Sequence, residues 1–156
     1  MKRTASMCAL AVIAVLVVTA VVSAEDNNVG TWKLNTAKSK YKTGAPPKEQ
    51  TLTFSEEGTT LHVVVKGTSS DGKPISTHYT IPEAGGTGKI IESTFEGVST
   101  KNISPTQRET SYTKGGKVVY TAKSKLAADG KSLTVAVQGT NPLGQNVDGT
   151  NIYDKQ

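Results

Sequence analysis

The chain has 156 residues, a formal net charge of +5, two histidines, one cysteine and 35% hydrophobic residues. A disulfide scaffold is excluded, and any histidine-dependent triad or zinc centre is confined to His62 and His78. The basic excess is spread as single lysines on alternating polar positions, as expected of a solvated surface with guarded sheet edges and not of a nucleic-acid-binding face.

Lys2 and Arg3 form a short basic start, Ala9 to Val22 is an almost unbroken apolar run, and Val22-Ser23-Ala24 places small residues where a signal peptidase reads. The run is shorter than the roughly 20 residues that span a bilayer, so residues 1–24 read as a cleaved signal peptide. The mature protein, residues 25–156, is then expected to be a soluble secreted or periplasmic monomer that is not embedded in the membrane. Cys8 leaves with the signal, and loss of Lys2 and Arg3 lowers the net charge from +5 to +3.

Val29 to Leu34 is a first short strand and carries the only Trp. Residues 35–49 are rich in Lys, Ser, Thr, Gly and Pro; Asn35 is placed to cap a helical turn reaching Tyr41, and Pro46-Pro47 ends any helix. Nine further strands follow, at residues 50–55, 60–66, 73–81, 89–95, 98–103, 108–113, 117–126, 132–138 and 146–153. Glu57-Gly58, Asp71-Gly72, Gly115-Gly116 and Asp129-Gly130 punctuate them with glycines suited to tight hairpins. Ten strands joined by hairpins, with no helical crossover, predict an all-β, antiparallel up-and-down β-barrel of 8–10 strands, because closure removes exposed edges.

The segment from Gly58 to Ile75 is echoed 72 positions later, from Gly130 to Val147. Leu61, Val63, Val65 and Gly67 reappear as Leu133, Val135, Val137 and Gly139. Such an echo is expected either from a duplicated half-domain or from two hairpins with the same turn chemistry.

Alternation places Leu52 and Phe54; Leu61, Val63 and Val65; Ile75, Thr77, Tyr79 and Ile81; Val118, Tyr120, Ala122 and Leu126; and Leu133, Val135 and Val137 on the inward face. Hydroxyls of Thr77, Tyr79, Thr110, Tyr112, Tyr120, Ser124 and Tyr153 are mixed into it. They suit either a lumen holding a ligand or a filled core in which they satisfy one another.

Gly30-Thr31-Trp32-Lys33-Leu34, Ala37-Lys38-Ser39-Lys40-Tyr41, Pro46-Pro47-Lys48, Asp71-Gly72-Lys73-Pro74, Gly115-Gly116-Lys117-Val118-Val119 and Ala128-Asp129-Gly130-Lys131-Ser132-Leu133 together resemble a family of small exported bacterial lipocalin-like proteins of largely unknown function. The opening Gly-x-Trp, the strand count and the closing Asn151-Ile152-Tyr153-Asp154-Lys155 also resemble the calycins, fatty-acid-binding proteins among them. The resemblance implies a ligand-binding barrel. It departs from the fatty-acid binders in two ways: the connection after the first strand is too short for their two helices, and Asn151 and Ser124 stand where arginines of their carboxylate clamp are expected.

Gly85-Gly86-Thr87-Gly88-Lys89 lacks the spacing and the following Ser or Thr of a phosphate loop and reads as a hairpin loop. His62 and His78 face outward on neighbouring arms of one hairpin, and no nucleophile stands in a recognisable motif. Arg108, the only arginine of the mature chain, points inward as an anchor for a polar ligand head or lies at the rim. The expectation is a non-enzymatic binding module, with no cofactor and no metal site, that holds a small apolar or amphipathic molecule against Phe54, Val63, Tyr79, Arg108, Tyr112, Tyr120, Val135 and Tyr153. The alternative is an envelope interaction protein with a filled core, binding a partner through residues 35–49, with Tyr41 as the aromatic anchor, and through residues 85–88.

Overall fold

Alternating apolar residues between glycine-bearing turns give antiparallel strands, and enough of them in succession curl until the first meets the last. The computed structural model describes residues 28–156, where this happens; the expected signal peptide and its cleavage site lie outside the described residues. Twelve strands form: β1 (Gly30–Leu34), β2 (Lys40–Thr43), β3 (Glu49–Glu57), β4 (Thr60–Thr68), β5 (Pro74–Pro82), β6 (Gly86–Thr87), β7 (Lys89–Glu92), β8 (Gly97–Ser104), β9 (Gln107–Lys114), β10 (Lys117–Leu126), β11 (Ser132–Thr140) and β12 (Asn146–Lys155). No helix is present among the described residues.

The twelve segments occupy ten positions around one barrel. One edge of β12 is shared, with β1 pairing its last residues (Leu34 with Tyr153) and β2 pairing its earlier part (Tyr41 with Gly149). Likewise β6 pairs with β8 (Thr87 with Ser99), whereas β7 pairs with β5 (Tyr79 with Ile90). The residue between them, Gly88, is therefore the seam. Its amide donates to the Val98 carbonyl at 2.9 Å, and a Cβ there would overlap the Thr80 carbonyl of β5. Only glycine lets the chain cross between β5 and β8 this closely.

The structure departs from the expected elements at Tyr41 and at Val118. The Asn35 turn forms, with the Ser39 amide donating to the Asn35 carbonyl at 3.1 Å, but it ends before Lys40, and β2 takes Tyr41 into the sheet. Val118 does not face inward: an extra residue between Val118 and Tyr120 bulges β10 against β9, which turns Val118 out to 58% exposure while keeping Tyr120 in.

The echoed segments are the hairpins β4–β5 and β11–β12, and their registers match under the same shift of 72. Thr60 pairs with Pro82 and Ser132 with Asp154; Thr68 pairs with Pro74 and Thr140 with Asn146. The turns match too. The Ser69 amide donates to the Lys73 carbonyl at 2.8 Å and the Asn141 amide to the Gln145 carbonyl at 2.9 Å, while the Ser69 hydroxyl and the Asn141 side-chain oxygen accept from the Lys73 and Gln145 amides.

The core divides into two clusters. One gathers Trp32, Leu52, Leu133 and Tyr153 on the β1, β3, β11 and β12 side; the other gathers Leu61, Ile81, Phe95, Val98 and Tyr112 on the β4, β5, β8 and β9 side. Trp32 closes one end of the barrel, fully buried, donating from its indole nitrogen to the Asn28 carbonyl at 2.8 Å and lying under Lys155 at 5.2 Å. Burying each such large apolar side chain stabilises the fold by about 2–3 kcal/mol.

Candidate functional site: a tyrosine-lined lumen

Between the two clusters the barrel encloses a cavity of about 120 Å³. A solid core would need Leu, Ile or Phe at every inward position. Here β9 and β10 instead bring Thr110, Ala122 and Ser124 to the wall, and Ala122 lies in register with Thr110 on one side and Val137 on the other. These small side chains leave the space that the larger ones surround.

The structure places Phe54, Val63, Tyr79, Arg108, Tyr112, Tyr120, Val135 and Tyr153 on the wall of this cavity. Tyr41 joins them, so all five tyrosines of the chain and both phenylalanines, Phe54 and Phe95, face the same space. Sequence reasoning missed Tyr41, Gln50, Phe95 and the turn residues Asn141 and Gln145 as wall residues. Tyr41 left one signal: Gly149, a glycine inside a strand, where a Cβ would collide with the Tyr41 ring. Phe95 was missed because the strand expected over residues 89–95 ends at Glu92, which leaves Phe95 in an irregular segment before β8 where alternation does not apply.

The hydroxyls are mostly committed to protein partners. Tyr112 donates to the Tyr79 hydroxyl at 2.9 Å, Tyr41 to the Asn151 side-chain oxygen at 3.0 Å, and Tyr153 to the Gln50 side-chain oxygen. The rings are fixed as well. Phe95 stacks on Tyr112 at 4.7 Å and on Tyr120 at 5.7 Å, and Tyr79 meets Tyr112 edge-on at 5.5 Å. Burial pushes the phenols of Tyr112 and Tyr153 well above their ordinary value and raises those of Tyr79, Tyr120 and Tyr41. The Asn151 hydrogen bond partly offsets the effect at Tyr41.

Arg108 is buried at the start of β9, toward the closed end, with its Nε donating to the Asn102 side-chain oxygen at 2.9 Å; Asn102 in turn donates to the Glu83 carbonyl at 2.8 Å. The rim placement is thus excluded. Arg108 sets a positive charge low in the wall, close enough to favour ionised Tyr79, though burial outweighs it there.

At the other end lies the mouth, formed by Ala45 and Pro47 before β3, Ser69 and Ser70 in the β4–β5 turn, and Asn141, Pro142, Leu143 and Gln145 in the β11–β12 turn. Thr94 in the β7–β8 connection donates to the Pro142 carbonyl at 2.7 Å, tying two turns that are not sheet neighbours across the opening. Residues 35–49, expected as a loop offering Tyr41 as a partner's aromatic anchor, therefore hold β2 and send Tyr41 to the lumen. Residues 85–88, expected as a loop open to partners, hold β6 and the Gly88 seam instead.

On the outer face, the rings of His62 and His78 are 5.9 Å apart and His62 Nε2 lies 3.1 Å from a Glu57 carboxylate oxygen.

No protein-family model and no curated protein matches the chain. Among solved structures it is similar to a redesigned β-barrel, mFAP1, bound to DFHBI, at 13% identity and TM-score 0.44, over 83% of this chain and 95% of that one. It is also similar to a de novo designed fluorescence-activating β-barrel, at 14% identity and TM-score 0.44, over 82% of this chain and 93% of that one.

Proposed function

We propose that the protein is an exported, non-enzymatic binding module that takes a small apolar or amphipathic molecule into the barrel through the mouth between residues 45–47, 69–70 and 141–145. One observation carries this reading: a cavity of about 120 Å³ onto which the fold directs every Tyr and Phe of the chain. Such a wall offers apolar area for affinity and hydroxyls for orientation, which is the make-up of small-molecule sites. The cavity and the inward-facing Tyr41 favour this reading over the alternative of a filled core with a partner on residues 35–49 and 85–88. Export follows from the amino-terminal residues 1–24, read as a signal peptide.

Native mass spectrometry of the protein purified from its own host tests the proposal. The spectrum is expected to show the mature chain carrying one small molecule, lost when Ala122→Phe fills the lumen. Recovery of the chain bare, with added small apolar compounds leaving the signals of lumen residues unmoved in NMR, would sink it.

A further inference from the structure

Of the five phenols in the lumen, four are committed: Tyr112 to Tyr79, Tyr41 to Asn151 and Tyr153 to Gln50. The fifth, Tyr120, makes no hydrogen bond within the described residues. Nor is it free to turn toward one, because its ring is held at 5.7 Å and 18° by Phe95 and at 5.6 Å by Tyr112. The Tyr120 hydroxyl is open to the lumen and not sealed in the wall, so it is a donor and acceptor available to whatever occupies the cavity.

What fits beside it is bounded by shape. Ala122, two residues along the same strand, and Thr110, its register partner on β9, are the small side chains that open the space next to Tyr120. At about 120 Å³ the cavity is of the size, roughly 150 Å³, that holds a benzene ring in an otherwise solid protein interior. Val63, Val135 and Phe54 supply apolar walls for such a ring.

Charge narrows the choice further. An anion beside Tyr120 would be stripped of water in a space where burial and the neighbouring phenols already oppose negative charge. The positive charge of Arg108 lies lower in the wall, with its Nε engaged by Asn102.

We propose that the lumen selects a compact, uncharged ring compound bearing a single hydroxyl or carbonyl oxygen, which exchanges a hydrogen bond with the Tyr120 hydroxyl. This rests on the lumen-binding function above and specifies its ligand class. Long-chain fatty acids do not meet it, being neither compact nor uncharged.

Calorimetric titration of the purified protein with phenol, toluene and benzoate, repeated on Tyr120→Phe, provides the test. Phenol and toluene are expected to bind, and benzoate to bind at least tenfold more weakly than phenol. Tyr120→Phe should weaken phenol about five- to tenfold, the usual effect of one hydrogen bond, while toluene changes less than twofold and thereby reports an intact cavity. Should that variant fail to fold, a crystal structure of the wild-type protein with phenol decides: the phenol oxygen is expected within hydrogen-bond distance of Tyr120 Oη. Equal losses for phenol and toluene, an unchanged phenol affinity, or benzoate binding tighter than phenol would each overturn the ligand class. If no ring compound binds but host-purified protein carries a different molecule, the ligand class falls and the lumen-binding function stands. If the host protein is also bare, both fall.

Discussion

Asp71 sits in the β4–β5 turn, at one lip of the mouth. Its carboxylate is hydrogen-bonded by the Ser69 hydroxyl and by Lys73, whose ammonium lies 3.0 Å away, and these contacts hold it down to about 2. A depressed carboxylate contributes to the turn fully above its ordinary value near 3.8, and the contribution is lost as pH falls through about 2. The lip is therefore expected to stay ordered at pH 4 and to loosen only well below pH 3. Carboxyl NMR titration should give an Asp71 midpoint near 2, moving back toward 3.8 in Ser69→Ala, because the hydroxyl is the largest cause of the shift. An ordinary midpoint in the wild-type protein would mean that the turn is not held this way. The same serine has its counterpart in Asn141, whose side chain braces the opposite turn by accepting from the Leu143 and Gln145 amides.

Among the elements, the β6–β7 pair decides whether the sheet closes. Residues 86–92 change partner from β8 to β5 at Gly88, and the crossing leaves no room for a side chain, with Ile81 and Val98 also crowding the position. Gly88→Ala is expected to destabilise the fold by about 1–3 kcal/mol through overpacking. Amide exchange should accelerate in β6 and β7 before it does in β11 and β12. Gly58→Ala is the comparison: nothing lies near its Cβ, and only the positive φ of 62° opposes it, a cost of about 1 kcal/mol. Equal stability losses in the two variants, without local exchange at the seam, would show that closure does not depend on Gly88. The bulge at Val118 and Tyr120 acts in the same way on a smaller scale, since one extra residue decides which side chain reaches the lumen.

For the whole molecule, gathering five phenols into one space ties the fold to alkaline pH. Each phenol is raised above its ordinary value of 10, chiefly by burial. A raised acid contributes stability that is fully present below pH 10 and is lost as pH rises toward its folded-state value, because the unfolded chain releases the proton first. The expectation is that no tyrosine ionises near pH 10 while the barrel is folded and that all five ionise together when alkaline unfolding occurs. Absorbance at about 295 nm, followed against the circular dichroism of the sheet, measures this. Stepwise ionisation of three or more tyrosines with the sheet intact would contradict the burial of these phenols in the folded barrel.

The barrel was legible in the chain because its evidence is local: the period-two alternation in residues 60–66 and 132–138 and glycines at residues 58, 72 and 130 each act within a few residues of one another. Most of the inward face could be read for the same reason, Phe54, Val63, Tyr79, Tyr120 and Val135 included. Tertiary structure alone decided the rest. Tyr41 and Phe95 lie in segments without alternation, and only their pairing or stacking with residues distant in sequence brings them to the cavity. Val118 broke its own pattern because a bulge depends on the partner strand. Whether the interior is filled was beyond periodicity altogether: it depends on how Ala122, Thr110 and Val137, brought together from three strands, divide a common volume, and volume is a property of the packed molecule that no single segment carries.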